Sequence, residues 1–255
     1  MSMAFAASSR ARAQRQAAVA QRAPAPERPA LQPVDRLPAP AKPVAIPKPR
    51  PSSPPPARVL RVRDGQTVTL RDRPHGHVIA RLGDHTEFGS PTALSVAKRR
   101  GRWAAVPSSA IGNGTLGWVD TGSGAVDRRT TDVRLVADLS RRRLELRIRG
   151  DVKRSVRVAI GRPGSSTPRG RFSITDKLAG SDYGSYFGCC ILALSGHQPN
   201  LPAGWTGGDR LAIHGTSAPS TIGTPASAGC LRAGDEDLRV LMRRVPLGTP
   251  VLIRS

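Results

Sequence analysis

Residues 213–232 read IHGTSAPSTIGTPASAGCLR. The stretch holds His214, one of five histidines in the chain, and Cys230, one of three cysteines. Gly215 and Gly229 stand beside them, and the Pro, Ser and Thr residues between give no helical periodicity. Two readings are open: small packing residues that happen to lie close, or a base and a nucleophile. RLAIHGT has the form of a strand ending at His214, which suits an imidazole facing a cleft. The Gly215 carbonyl is unobstructed and can accept the proton on the other ring nitrogen. At the far end, Gly229 lets the backbone turn sharply and leaves space for a substrate carbonyl at the amides of residues 229 and 230. Arg232 sets a fixed positive charge near the thiol, which lowers a thiol pKa and can hold a substrate carboxylate. Read as residues alone, a cysteine acyltransferase or hydrolase and a pair of structural side chains stand about level.

Outward from this stretch the chain is β-rich. RRLELRIR alternates strictly, with Leu144, Leu146 and Ile148 on one face and charges on the other, the pattern of a half-exposed strand. VRLVADL, KRSVRVAI, RFSITD and PVLI extend the strand series. One helix is expected in GDEDLRVLMRRV, with Asp235 as its cap, Leu238, Leu241 and Val245 on one face and arginines at its end. Cys189 and Cys190 sit in FGCCILALSG and read as two small buried residues, since neighbouring cysteines rarely bridge.

Residues 58–121 give a second β pattern. QTVTL and HVIARL flank a turn built on Pro74 and Gly76; TALSV and WAAV flank AKRRGR, read as a charged turn; Asn113-Gly114 precedes a last strand. A small barrel or sandwich is expected, with Trp103 and Trp118 in its core. Residues 122–131 read as a linker. Residues 1–57 hold 13 of the 24 prolines and read as a disordered, basic, extended tether.

The formal charge is +22, spread as +7 over residues 1–57, +6 over 58–131 and +9 over 132–255. A surface so basic favours polyanions. Aromatic residues are 4% of the chain and no helix-turn-helix or finger spacing is present, which argues against sequence-specific nucleic-acid binding. No apolar run approaches the roughly 18 residues of a membrane span, and the N-terminal residues do not form an export signal. Three cysteines are too few for a disulfide scaffold, and no Cys/His spacing suggests a metal.

IHGT…IG…SAGCLR closely resembles the signature of the L,D-transpeptidases, the YkuD-type catalytic domain of bacterial cell-wall enzymes. In that signature a histidine is followed, a dozen or so residues on, by Ser/Thr-His-Gly-Cys-x-Asn/Arg. Here twelve residues separate His214 from Ser227-Ala228-Gly229-Cys230-Leu231-Arg232, and GSSTPRGRFSITDKL is similar to the family's entry into its core. Residues 58–121 resemble, more loosely, the SH3-like modules found beside such enzymes. The resemblance implies a mainly β protein: an SH3-like β-barrel, then a β-sandwich-like catalytic domain over 132–255 with one principal helix. It implies Cys230 as nucleophile, His214 as base and Gly215 as the residue orienting it, with Ser227, Gly229 and Arg232 in the substrate pocket. Ala228 departs from the pattern, standing where a histidine is usual.

The implied reaction is cross-linking of peptidoglycan stem peptides through a thioester, with loss of D-alanine and no metal or cofactor. The implied enzyme is a monomer of the cell envelope, held to anionic wall polymer by its basic surface. A carboxypeptidase on the same scaffold and a non-catalytic wall-binding protein are the alternatives.

Overall fold

A computed structural model describes residues 53–255. The tether expected over residues 1–57 lies outside the described residues except for its last five. The first β region comprises β1 (Ala57–Val62), β2 (Val68–Arg71), β3 (Val78–Leu82), β4 (Ala93–Ser95), β5 (Lys98–Arg100), β6 (Trp103–Val106), β7 (Gly117–Asp120) and β8 (Val126–Thr131). These form a three-stranded sheet, β4-β1-β8, and a five-stranded one, β3-β2-β7-β6-β5. Leu60, Val62, Leu70, Leu94, Val106 and Val119 pack between them, and Trp103 joins the buried set while Trp118 is half-buried.

Two segments differ from what the sequence predicts. The segment 122–131, expected as a linker, supplies β8, which pairs with β1 along its whole length from Ala57↔Thr131 to Val62↔Val126. Lys98–Arg100, expected within a turn, form β5 against β6. In both, an exposed strand edge carries charges instead of apolar residues, so the pairing leaves no apolar trace in sequence.

The second region contains β9 (Val133–Asp138), β10 (Arg143–Ile148), β11 (Asp151–Arg157), β12 (Ile160–Gly161), β13 (Gly170–Ala179), β14 (Cys190–His197), β15 (Arg210–His214), β16 (Pro225–Ser227), β17 (Leu231–Arg232), α1 (Asp235–Arg244) and β18 (Pro250–Arg254). Eight strands make one mixed sheet in the order β11-β10-β9-β18-β13-β14-β15-β17. The ten-residue β13 joins its halves: Gly170–Ser173 pair with β18 and the remainder with β14. Both halves feed one core, with Leu135, Leu144 and Val251 meeting Leu192, Leu194 and Ile213, and α1 adding Leu238 and Leu241. Each such side chain contributes about 1.5–3 kcal/mol by leaving water. Asp235 does not cap α1; it is the first helical residue, after Gly234 at the cap position with no side-chain bond. The acidic first turn and Arg243–Arg244 in the last still suit the helix dipole.

The first region packs on β13. Ser95 N–H donates to Ser173 Oγ at 3.2 Å, and the Asn113 amide exchanges bonds with the His197 backbone at 2.6 and 2.9 Å. Thr86 Oγ bonds Asp176 Oδ1, on a carboxylate that is fully buried and whose Oδ2 has no partner. Removing that donor leaves a buried carboxyl group without its hydrogen-bond partner. Thr86→Val, which keeps the shape, is expected to destabilise the protein by about 1–3 kcal/mol. A urea midpoint unchanged from the parent would show that Asp176 does not depend on Thr86.

Candidate active site

β15 and β17 are neighbouring parallel strands, with Ile213 opposite Leu231 and His214 opposite Arg232. The crossover between them, residues 215–230, carries the glycine-rich stretch, so His214 leaves one strand where Cys230 enters the next. A strand pair thus does what the sequence spacing only suggests. His214, Cys230, Gln198, Tyr186, Phe187 and Trp205 line one small cavity.

His214 is fully buried. Its Nδ1–H donates to the Gly215 carbonyl at 2.6 Å, which leaves Nε2 as the acceptor nitrogen. Nε2 is buried and has no partner. Phe187 and Tyr186 stand against the ring, with centroids 5.0 and 5.6 Å away. Gly215 is required: a Cβ there would overlap Asp235 Oδ1 and press on the Cys189 amide. Its N–H donates to the Cys190 carbonyl at 3.0 Å.

Cys230 is a free, half-buried thiol, 3.8 Å from the Arg210 carbonyl. Cys189 and Cys190, expected as two separate buried side chains, are joined in a disulfide. Ser227, expected in the pocket wall, is fully buried in the turn instead: its hydroxyl donates to the Cys230 carbonyl at 2.6 Å and accepts from Gly229 N–H at 3.0 Å. The Gly229 amide, expected to face a substrate, is therefore already committed. Gly229 itself takes φ +125°. Arg232 is nearly buried, with its guanidinium 4.7 Å from the Tyr186 ring centroid and bonded to the Tyr186 hydroxyl. It lies under the aromatic wall and not in the cavity lining.

Burial governs the electrostatics. It pushes the Cys230 thiol up to about 11, against a backbone hydrogen bond at Ala212 and the Arg232 charge. It pushes His214 down to about 4, with the Gly215 carbonyl opposing and Arg232 assisting. Both groups are uncharged at neutral pH. A thiolate drawn out by Arg232 was the expectation; desolvation outweighs one guanidinium.

The His214 shift has a stability consequence. The unfolded chain takes up a proton below pH about 6.5, and the folded one only near 4. Stability is therefore complete above about 6.5 and is lost as pH falls towards 4, by about 3 kcal/mol from this group. His214→Gln should flatten that part of the urea-midpoint profile; an unchanged acid limb would assign it elsewhere.

Tyr186, Phe187, Trp205 and Gln198 are site residues the sequence reading missed. The aromatic trio had a signal: in a chain with two tyrosines and three tryptophans, they sit in glycine-flanked loops, SDYGSYFG and AGWTGGD, outside any strand pattern. Among the described residues no group of three or more His, Cys, Asp or Glu is placed to hold a metal.

The family model for the L,D-transpeptidase catalytic domain matches residues 132–253. A Bacillus licheniformis protein named as the L,D-transpeptidase YkuD is 33% identical over 124 residues, covering 49% of this chain and 67% of that one. The chain belongs to the L,D-transpeptidase family. A Bacillus subtilis protein named as the L,D-transpeptidase YqjB is 28% identical over 137 residues, covering 50% of this chain and 68% of its own. Among solved structures, an L,D-transpeptidase from Mycobacterium smegmatis is 15% identical, with a TM-score of 0.40, over 62% of this chain and 80% of that one. The L,D-transpeptidase domain thus begins at β9 and ends in β18, and β1–β8 lie outside the match.

Proposed function

We propose that this L,D-transpeptidase cross-links peptidoglycan stem peptides, with Cys230 as nucleophile and His214 as its general base. The observation that carries the reading is the unpartnered Nε2 of His214, in the cavity that Cys230 also lines, with Nδ1–H tied to Gly215. Nε2 takes the thiol proton as sulfur attacks the carbonyl between the third stem residue and its terminal D-alanine. Because both groups start neutral, proton transfer accompanies attack. The Cys230 N–H is the amide of this turn left for the oxyanion, since the Gly229 N–H is held by Ser227. The tetrahedral intermediate expels D-alanine, whose nitrogen takes the proton back from His214. The thioester is then opened by the side-chain amine of a second stem, with Nε2 accepting its proton and returning it to sulfur.

The rest of the chain fits an envelope setting. β1–β8 are proposed as an SH3-like wall-binding module, and the +22 charge as an attraction to anionic wall polymer. No helix among the described residues is long and apolar enough to cross a membrane.

The test is incubation with a stem tetrapeptide, with and without an amine acceptor, followed by mass spectrometry. D-Alanine release with the remaining tripeptide acyl group joined to the acceptor amine is expected. Release without joining would assign a carboxypeptidase. No release would leave a wall-binding protein.

A further inference from the structure

The family signature places a histidine before the glycine of its cysteine turn, and this chain has Ala228 there. A methyl group brings no hydrogen bond to a turn on which the cysteine depends. The polar contact comes from another segment. Gln198 follows β14 directly, is 4% exposed, and its own N–H is fixed to the Asp209 carbonyl at 2.7 Å.

The Gln198 side chain is committed on every side. Nε2 lies 3.1 Å from the Ala228 carbonyl, 3.1 Å from that of Ser166 and 3.2 Å from that of Ser165. Two N–H groups therefore serve three acceptors. Oε1 accepts the Asn200 N–H at 3.0 Å. Carbonyls around one end and a donor at the other allow only this orientation of the amide. One side chain thereby joins the 165–166 loop, the end of β14 and the cysteine turn. The contact is also close: a Cβ on Gly229 would overlap Gln198 Nε2. Ser227 holds the same turn from the other side, through Gly229 N–H and the Cys230 carbonyl. Gln198 lines the cavity with Cys230 and His214, so the clamp lies at the reacting end.

We propose that Gln198 is a positioning residue for acyl transfer: it holds the Ala228–Gly229 peptide so that the Cys230 amide and thiol meet the donor carbonyl together, supplying the polar support that Ala228 does not. The inference rests on the Cys230 reading above.

The test compares two reactions of the same thiol in the full-length protein. Acylation by a carbapenem needs the oxyanion donor; alkylation by iodoacetamide does not. In Gln198→Leu, which keeps the bulk and removes the bonds, acylation should fall about 10- to 100-fold, the scale of a small misplacement at a reacting centre. Alkylation should change less than about threefold, since the thiol and its base remain. Gln198→Glu gives a pH signature. An ionised carboxylate repels the three carbonyls, whereas the protonated form donates one bond, so its acylation relative to wild type should recover between pH about 8.5 and 5.5. Wild type itself should be level there, since His214 and Cys230 titrate near 4 and 11.

Parallel loss of both reactions in Gln198→Leu would make Gln198 a merely structural residue. No loss of acylation, or a Gln198→Glu ratio that does not move with pH, would also overturn the proposal. Failure of the underlying reading looks different: wild type itself would then carry no adduct on Cys230.

Discussion

His214→Gln will slow acylation of Cys230 by at least about a hundredfold at neutral pH. Burial holds the thiol near 11, about four units above pH 7, so only about one molecule in ten thousand carries a thiolate unaided. Attack therefore requires a base beside the thiol, and Nε2 of His214 is a buried acceptor without a partner, on a residue that lines the same cavity as Cys230. Glutamine fills most of the vacated volume, so the fold survives and the loss is chemical. The pH profile should change with the rate. Wild type should be flat between its two titrations, whereas the variant should accelerate about tenfold per pH unit as hydroxide takes over deprotonation. A variant that acylates at close to the parental rate at pH 7 would remove His214 from the role of base.

A comparable loss is expected from Gly229→Ala, for a backbone reason. Gly229 sits at φ +125°, a region that L side chains rarely adopt, and the new methyl would overlap the Gln198 amide. The turn must move, carrying the Cys230 amide with it. Acylation should fall about a hundredfold, as misplacement by about 1 Å can cost. Gln198→Ala in the same chain gives the methyl room but leaves φ unrelieved and removes the bond to the Ala228 carbonyl, so it should not restore acylation. Full activity in Gly229→Ala, measured as adduct formation over time, would mean the turn tolerates another path.

What could be seen in the sequence follows from how each segment meets water. β10 was legible because one face is buried and the other wet, which writes alternation into the chain. β14 was not, because seven of its eight residues are buried and its CILALSGH shows a run without a period. β8 was mistaken for linker because its charged side chains reach solvent while its backbone pairs with β1. The His214–Cys230 pair stood out because glycines mark both ends of its crossover, and Gly215 holds the imidazole as its position suggested. Burial of the pair was not legible, and with it went the expectation of a thiolate. Nor was Gln198: it lies 32 positions from Cys230, and its role comes from loops that meet only in the fold. Ser227 was seen as part of the motif, but a buried hydroxyl closing a turn and one facing a pocket look alike in one dimension.

Cys230 is the residue proposed to carry the acyl group. Wild-type protein incubated with a stem tetrapeptide and no acceptor, quenched in acid and mapped by peptide mass spectrometry, tests it directly. The predicted result is one thioester per chain, on the peptide containing Cys230, absent from a folded Cys230→Ala variant. An acyl group mapped to any other residue, or one that persists in Cys230→Ala, would contradict it.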